Sequence, residues 1–71
     1  MKSVRIRNEY ITLGQFLKLT EWIQTGGEAK FFLAENRVEV NGAPEQRRGK
    51  KLYPADVITI DDSTYKLVSA D

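Results

Sequence analysis

The sequence predicts an α+β domain: two short helices packed on a small, mainly antiparallel sheet. Three observations lead there. Leu13, Phe16, Leu17, Thr20 and Ile23 fall on one face at helical spacing. Val38-Glu39-Val40 and Val57-Ile58-Thr59-Ile60 read as strands. Asn41-Gly42, just after the first of these, is a strong tight-turn signal. At 71 residues the chain has room for one domain, spanning residues 1–71, whose apolar side chains are mostly committed to one core.

Taken in order, Lys2 to Arg7 alternates, with Val4 and Ile6 on one side and Ser3, Arg5 and Arg7 on the other, the pattern of a half-buried strand. Thr12 is placed to cap a helix running from Leu13 to about Gln24. Gln15, Lys18 and Trp22 lie off its core face. An indole there either stacks on a base or lies beneath a neighbouring strand, and in so small a protein burial is expected. Gly26-Gly27 is read as ending this helix and opening the next, from Glu28 to Glu35. Ala29, Phe32 and Leu33 form the buried stripe of that second helix, while Lys30 and Phe31 point elsewhere. Asn36 is expected in a left-handed conformation that closes it. Pro44 keeps the strand after Asn41-Gly42 short or at an edge. Gln46 to Lys51 is too polar for the core and fits an exposed edge or loop. Tyr53-Pro54-Ala55-Asp56 turns into the strand Val57–Ile60, and Asp61-Asp62-Ser63 turns into a last strand, Thr64–Val68.

The net charge of +1 hides a segregation. Residues 1–36 carry +1, residues 37–51 carry +3 and residues 52–71 carry −3. Five of the eleven Lys and Arg residues lie between Arg37 and Lys51: Arg37, Arg47, Arg48, Lys50 and Lys51. A local positive field of this kind is what a phosphate backbone responds to. The sequence has no histidine and no cysteine, which removes the commonest general base, thiolate chemistry and the commonest metal ligands. It carries no P-loop and no G-x-G-x-x-G. Asp61 and Asp62 adjoin but point to opposite sides of an extended chain, so they cannot act as an acid/base pair. No enzymatic activity, cofactor or metal is therefore expected. No run approaches the length of a membrane span, and a cytoplasmic monomer is the expectation.

The order of residues resembles the RNA-binding domain family named after small-subunit ribosomal protein S four, also called the alpha-L motif. The resemblance covers about residues 11–60. It rests on Leu13, Phe16, Leu17 and Lys18 in the first helix and on Gly27-Glu28-Ala29-Lys30 opening the second. It continues through Arg37-Val38-Glu39-Val40-Asn41-Gly42 and Leu52-Tyr53-Pro54-Ala55-Asp56-Val57-Ile58. The G-G-E-A-K opening and the R-R-G-K-K run look like the small stand-alone bacterial members, the YaaA and YbcJ-like group. The resemblance implies a compact helix-helix-sheet domain that docks on structured RNA, often ribosomal RNA. Many members begin the first helix with Arg-Leu-Asp, where this chain has Thr12-Leu13-Gly14, and open the second with Ser-Arg, where it has Gly26-Gly27. The missing arginines shift the expected affinity toward Arg47, Arg48, Lys50 and Lys51.

The sequence thus points to a non-enzymatic RNA-binding module. Lys18, Lys30, Arg37, Arg47, Arg48, Lys50 and Lys51 are its phosphate-contacting set, Asn41 shapes the hairpin at that surface and Gln15 adds a polar contact. Shape and backbone readout is expected, because only Trp22 and Phe31 stand off the helical core faces. The rival reading is a protein-interaction adaptor, associated with ribosome assembly or replication, that uses Trp22, Phe31 and the acidic C-terminal strand.

Overall fold

The first helix begins where Thr12 caps it and ends sooner than its hydrophobic spacing implies. In the computed structural model, which describes residues 1–70, helix α1 spans Leu13–Leu19. The Thr12 hydroxyl accepts the Gln15 N–H at 3.2 Å and the Gln15 side-chain oxygen accepts the Thr12 N–H at 2.8 Å, a reciprocal capping box. At the other end the Thr20 hydroxyl donates back to the Phe16 carbonyl at 2.8 Å. Glu21 then takes a left-handed φ of 65°. Its N–H donates to the Lys18 carbonyl at 3.1 Å and the Trp22 N–H to the Leu17 carbonyl at 2.9 Å, the Schellman pattern built on glutamate rather than glycine. Ile23, expected in the helix's last turn, reaches the core from the loop instead.

Gly26 and Gly27 take no part in that ending. They sit in a 3-10 turn, Gly26–Glu28, that leads into helix α2 (Ala29–Glu35), and neither has a positive φ. The Glu28 carboxylate accepts the N–H groups of Thr25 at 2.7 Å and Gln24 at 2.9 Å, bonds that hold it below its ordinary pKa. Asn36 is extended rather than left-handed, with φ −119° and ψ 153°. It closes α2 by a different route, its backbone and side-chain N–H both donating to the Phe32 carbonyl at 2.9 Å. Ala29 and Leu33 are buried as the helical spacing requires. Phe32 is only half-buried, because its ring packs on Trp22 at 5.7 Å rather than into the centre.

The helices cover one face of a five-stranded sheet. Its strands are β1 (Lys2–Ile6), β3 (Val38–Val40), β4 (Ala43–Pro44), β6 (Val57–Ile60) and β7 (Ser63–Ser69), ordered β1-β7-β6-β3-β4. All neighbours are antiparallel except β1 and β7, which run parallel with Val4 opposite Leu67. A separate ribbon pairs β2 (Ile11–Thr12) with β5 (Lys51–Leu52). Val38, Val40, Ile58, Ile60, Tyr65 and Leu67 join Phe16, Leu17 and Leu33 in one buried cluster. Hiding each large side chain of this kind contributes roughly 1.5–3 kcal/mol. The Trp22 indole N–H donates to the Tyr65 hydroxyl at 2.9 Å, so this ring lies against the sheet. Asp71, counted above among the acidic C-terminal residues, lies outside the described residues.

The turns are held by side chains. Asn41 and Gly42 have φ 52° and 85°, the pair of positive angles a primed hairpin turn needs. Beyond them the short return strand β4 pairs only with β3 and stands at the sheet edge, as its proline demands. Tyr53–Asp56 is a type II turn, closed by the Asp56 N–H on the Tyr53 carbonyl at 3.0 Å, with Ala55 at φ 82°. Glu45 collects three bonds from one residue: the Arg47 backbone N–H at 3.1 Å, its Nε at 2.8 Å and its Nη2 at 3.0 Å. The side-chain hydrogen bond from Arg47 lowers the Glu45 carboxyl to about 2.

Two predictions follow from these turns. Ala55→Gly relieves a left-handed alanine and raises the unfolding free energy by up to about 1 kcal/mol, whereas Ala55→Val lowers it by about as much or more. Thermal melts should therefore shift in opposite directions for the two variants. For Glu45 the folded pKa lies below the unfolded value of 4.5, so its pairing contributes fully above 4.5 and is lost as pH falls through about 2. The Tm advantage of the wild type over Glu45→Gln should hold at neutral pH and close across that acid window. A gap that stays constant down to the lower limit would show that the carboxylate–guanidinium bond contributes nothing to the fold.

Candidate nucleic-acid interface

The basic run is not a free loop. The Leu13 N–H donates to the Lys50 carbonyl at 2.8 Å and the Gly14 N–H to the Arg48 carbonyl at 2.9 Å. These are two of the N–H groups a helix start leaves without internal partners, and the Thr12 hydroxyl takes a third at Gln15. Loop carbonyls thus meet the positive end of α1, and the chain from Arg47 to Lys50 is tied to the helix, closed by the Lys50 N–H on the Arg47 carbonyl at 3.1 Å. At Gly14 a Cβ would stand in ordinary contact, 3.4 Å from the Arg48 carbonyl oxygen and 3.8 Å from Ala29 Cβ.

The consequence is a groove of about 390 Å³ between the start of α1, the 3-10 turn and the loop. Gln15, Lys18 and Arg48 line it together with Thr12, Gly14, Gly26, Ala29 and Gly49. A second depression holds Lys50, Lys51 and Asn41 with Tyr53 and Asp56. A third, lined by Asn8, Glu9, Tyr10, Thr12 and Gln15, meets the second where the Tyr10 and Tyr53 ring centroids lie 5.7 Å apart. Gln15 and Thr12 border both the first and the third depression. Six of the nine sequence-predicted site residues therefore share one strip: Gln15, Lys18, Arg48, Asn41, Lys50 and Lys51.

The six are not equally available. Asn41 is committed internally, since its Nδ2 donates to Asp56 at 3.0 Å and its Oδ1 accepts the Val57 N–H at 2.9 Å. Gln15 has given its side-chain oxygen to the helix cap. Lys18 and Arg48 are exposed and Lys50 is half-buried. The Lys51 ammonium lies 4.9 Å from the centre of the Tyr10 ring.

The remaining three stand apart. Arg47 is folded onto Glu45, so its charge is largely answered within the protein. Arg37 lines a different depression, with Pro44 and Glu45, and lies 3.7 Å from the Glu39 carboxylate. Lys30 is exposed on α2 but does not line the groove beside Ala29. Two residues that the sequence reading passed over, Tyr10 and Tyr53, are 37% and 43% exposed on the strip. Their signal was slight, because each flanks a strand of only two residues.

Among the described residues no group of three or more His, Cys, Asp or Glu is placed to hold a metal ion, and no helix is long and apolar enough to cross a membrane.

Comparison with known proteins agrees with this architecture. The sequence profile of the S4 domain matches residues 4–68. A protein of Bacillus subtilis (strain 168) named as a probable ribosome maturation protein, RlbA, is 57% identical over 58 residues, covering 82% of each chain. YbcJ of Escherichia coli (strain K12) is 29% identical over 63 residues, covering 89% of this chain and 90% of that one. The solution structure of YbcJ from E. coli, described as revealing an alfaL motif involved in RNA binding, superposes with a TM-score of 0.69 at 28% identity. That match spans 96% of this chain and 87% of the other. The two helices, the mainly antiparallel sheet and the matched residues assign the chain to the S4-domain family, with the alpha-L fold.

Proposed function

We propose that this chain is a non-enzymatic RNA-binding module that docks as a monomer on structured RNA in the cytoplasm, with ribosomal RNA as its target class. The observation that carries this is the strip that gathers Lys18, Arg48, Lys50 and Lys51 from helix and loop onto one rigid surface. Lysine ammonium groups and an arginine fork on a fixed backbone suit phosphate oxygens spaced along a folded RNA. The name of the Bacillus subtilis relative supports a ribosomal target, and the description of the E. coli relative supports RNA as the ligand.

The protein-contact reading draws on Phe31, which is 70% exposed beside Glu28 and Glu35. Trp22 adds little to it, since its N–H is taken by Tyr65 and its ring faces Phe32.

A salt titration of binding to ribosomal RNA fragments tests the RNA reading. Arg48→Gln and Lys18→Gln should each weaken binding and flatten the slope of log K against log salt by up to about 0.9 per lost contact. Arg47→Gln should change the slope less, because Glu45 already answers that charge. Asp62→Asn, on the acidic hairpin between β6 and β7, should leave affinity undiminished. Unchanged affinity and slope in an Arg48/Lys18/Lys50/Lys51 quadruple Gln variant that keeps its circular dichroism would remove the strip as the binding face.

A further inference from the structure

We infer that Tyr10 and Tyr53 form a stacking platform for an unpaired base, so that the RNA taken by this face carries a single-stranded nucleotide beside its helical phosphates. The inference rests on the RNA reading of the same strip and adds the kind of RNA element it selects. It departs from the backbone-only readout expected when Trp22 and Phe31 were the aromatics in view.

The platform is a product of strand alternation. In the ribbon of β2 and β5, Ile11 sits opposite Leu52, and both point into the core at 9% and 0% exposure. Tyr10 and Tyr53 flank that pair, one before β2 and one after β5, so period-two alternation turns both rings outward. They meet there with ring centroids 5.7 Å apart at 46°. The Tyr53 backbone N–H donates to the Asp56 carboxylate at 2.8 Å, which holds the main chain beside its ring, and the Lys51 ammonium covers one face of Tyr10, 4.9 Å from the ring centre. A fold that buries eight large apolar side chains completely leaves these two rings 37% and 43% exposed.

The surroundings favour a base over a phosphate at this point. Glu9 borders the depression that contains Tyr10, and its carboxylate repels a phosphate there but not a neutral base. Cations stand on either side: Lys50 and Lys51 in the depression with Tyr53, where Glu45 is answered by Arg47 and Asp56 accepts from Asn41 and the Tyr53 N–H, and Lys18 and Arg48 in the groove beyond Gln15. An RNA backbone held at both sides would set one nucleotide over the tyrosines. Bases inside an A-form helix have no free face, so the platform has work only at a bulge, a loop or a junction. Stacking on an aromatic ring tolerates any base, because each has a π-face.

The test compares two RNA hairpins of the same stem, one fully paired and one with a single bulged adenosine, the latter also prepared with 2-aminopurine at the bulge. Wild-type protein should bind the bulged hairpin about tenfold more tightly and quench the aminopurine. The Tyr10→Leu/Tyr53→Leu double variant should bind both hairpins equally, at the wild-type affinity for the paired stem and with an unchanged salt slope. The Tyr10→Phe/Tyr53→Phe variant should keep the preference, since the rings and not the hydroxyls stack. Wild-type protein that binds both hairpins equally and leaves the aminopurine unquenched overturns the platform while leaving the RNA reading standing. Loss of the preference in the Phe variant overturns stacking in favour of the hydroxyls. Failure of wild-type protein to bind either hairpin or any ribosomal RNA fragment overturns both.

Discussion

Two backbone hydrogen bonds hold the candidate binding face together: Leu13 N–H to the Lys50 carbonyl and Gly14 N–H to the Arg48 carbonyl. Each contributes on the order of 1 kcal/mol net, a modest amount for a fold of this size. Their value lies in what they join. The helix start and the basic run are far apart in sequence, and without these bonds Arg48 to Lys51 would be a solvated loop with its own conformational freedom. Tied down, the loop backbone does not have to be ordered when a ligand arrives, which removes one of the costs of association. The same bonds use up the N–H groups at the start of α1, so charge on this face comes from side chains and not from the helix end.

A second clasp governs the other side of the strip. The Asp56 carboxylate accepts from Asn41 Nδ2 and from the Tyr53 N–H, while Asn41 Oδ1 accepts the Val57 N–H. This joins the hairpin tip after β3 to the type II turn before β6. Among the described residues four other than glycine, Glu21, Asn41, Ala55 and Asp61, hold positive φ. Left-handed backbone is unfavourable for side-chain-bearing residues, and hydrogen bonds at or beside each of these turns offset it. Of the four, Asn41 alone lines a depression of the basic strip.

Much of this was legible in the residues. The period of 3.6 in Leu13, Phe16 and Leu17 and the period of two in Val57–Ile60 gave the elements, and Asn41-Gly42 gave the hairpin. Where the reading failed, the reasons are local. Nothing in Leu19-Thr20-Glu21 announces a helix end, because glutamate rarely serves where glycine is usual. The ribbon of β2 and β5 is two residues long on each side, too short for any periodicity, so Tyr10 went unremarked and Tyr53 was read only as part of a turn. The pairing of Arg47 with Glu45 was within reach, since residues two apart on an extended chain share a side. Gln15 and Asn41 were read as facing a ligand, and it takes coordinates to see their amides turned toward the protein's own backbone.

The parallel pairing of β1 with β7 bears on how the molecule comes into being. Residues 2–6 are synthesised well before their partners, residues 65–69. In a nascent chain the capped helices and the β3–β4 hairpin can assemble from near neighbours while β1 waits at an unfilled position. Contacts so distant in sequence slow the final closure. During that interval β1 is an open edge able to pair with a foreign strand. Lys2 and Arg5, exposed on it in the finished sheet, put like charges on any second copy that approaches and so discourage such pairing. These two cations lie outside the candidate strip, and their charge acts against mispairing rather than toward a ligand.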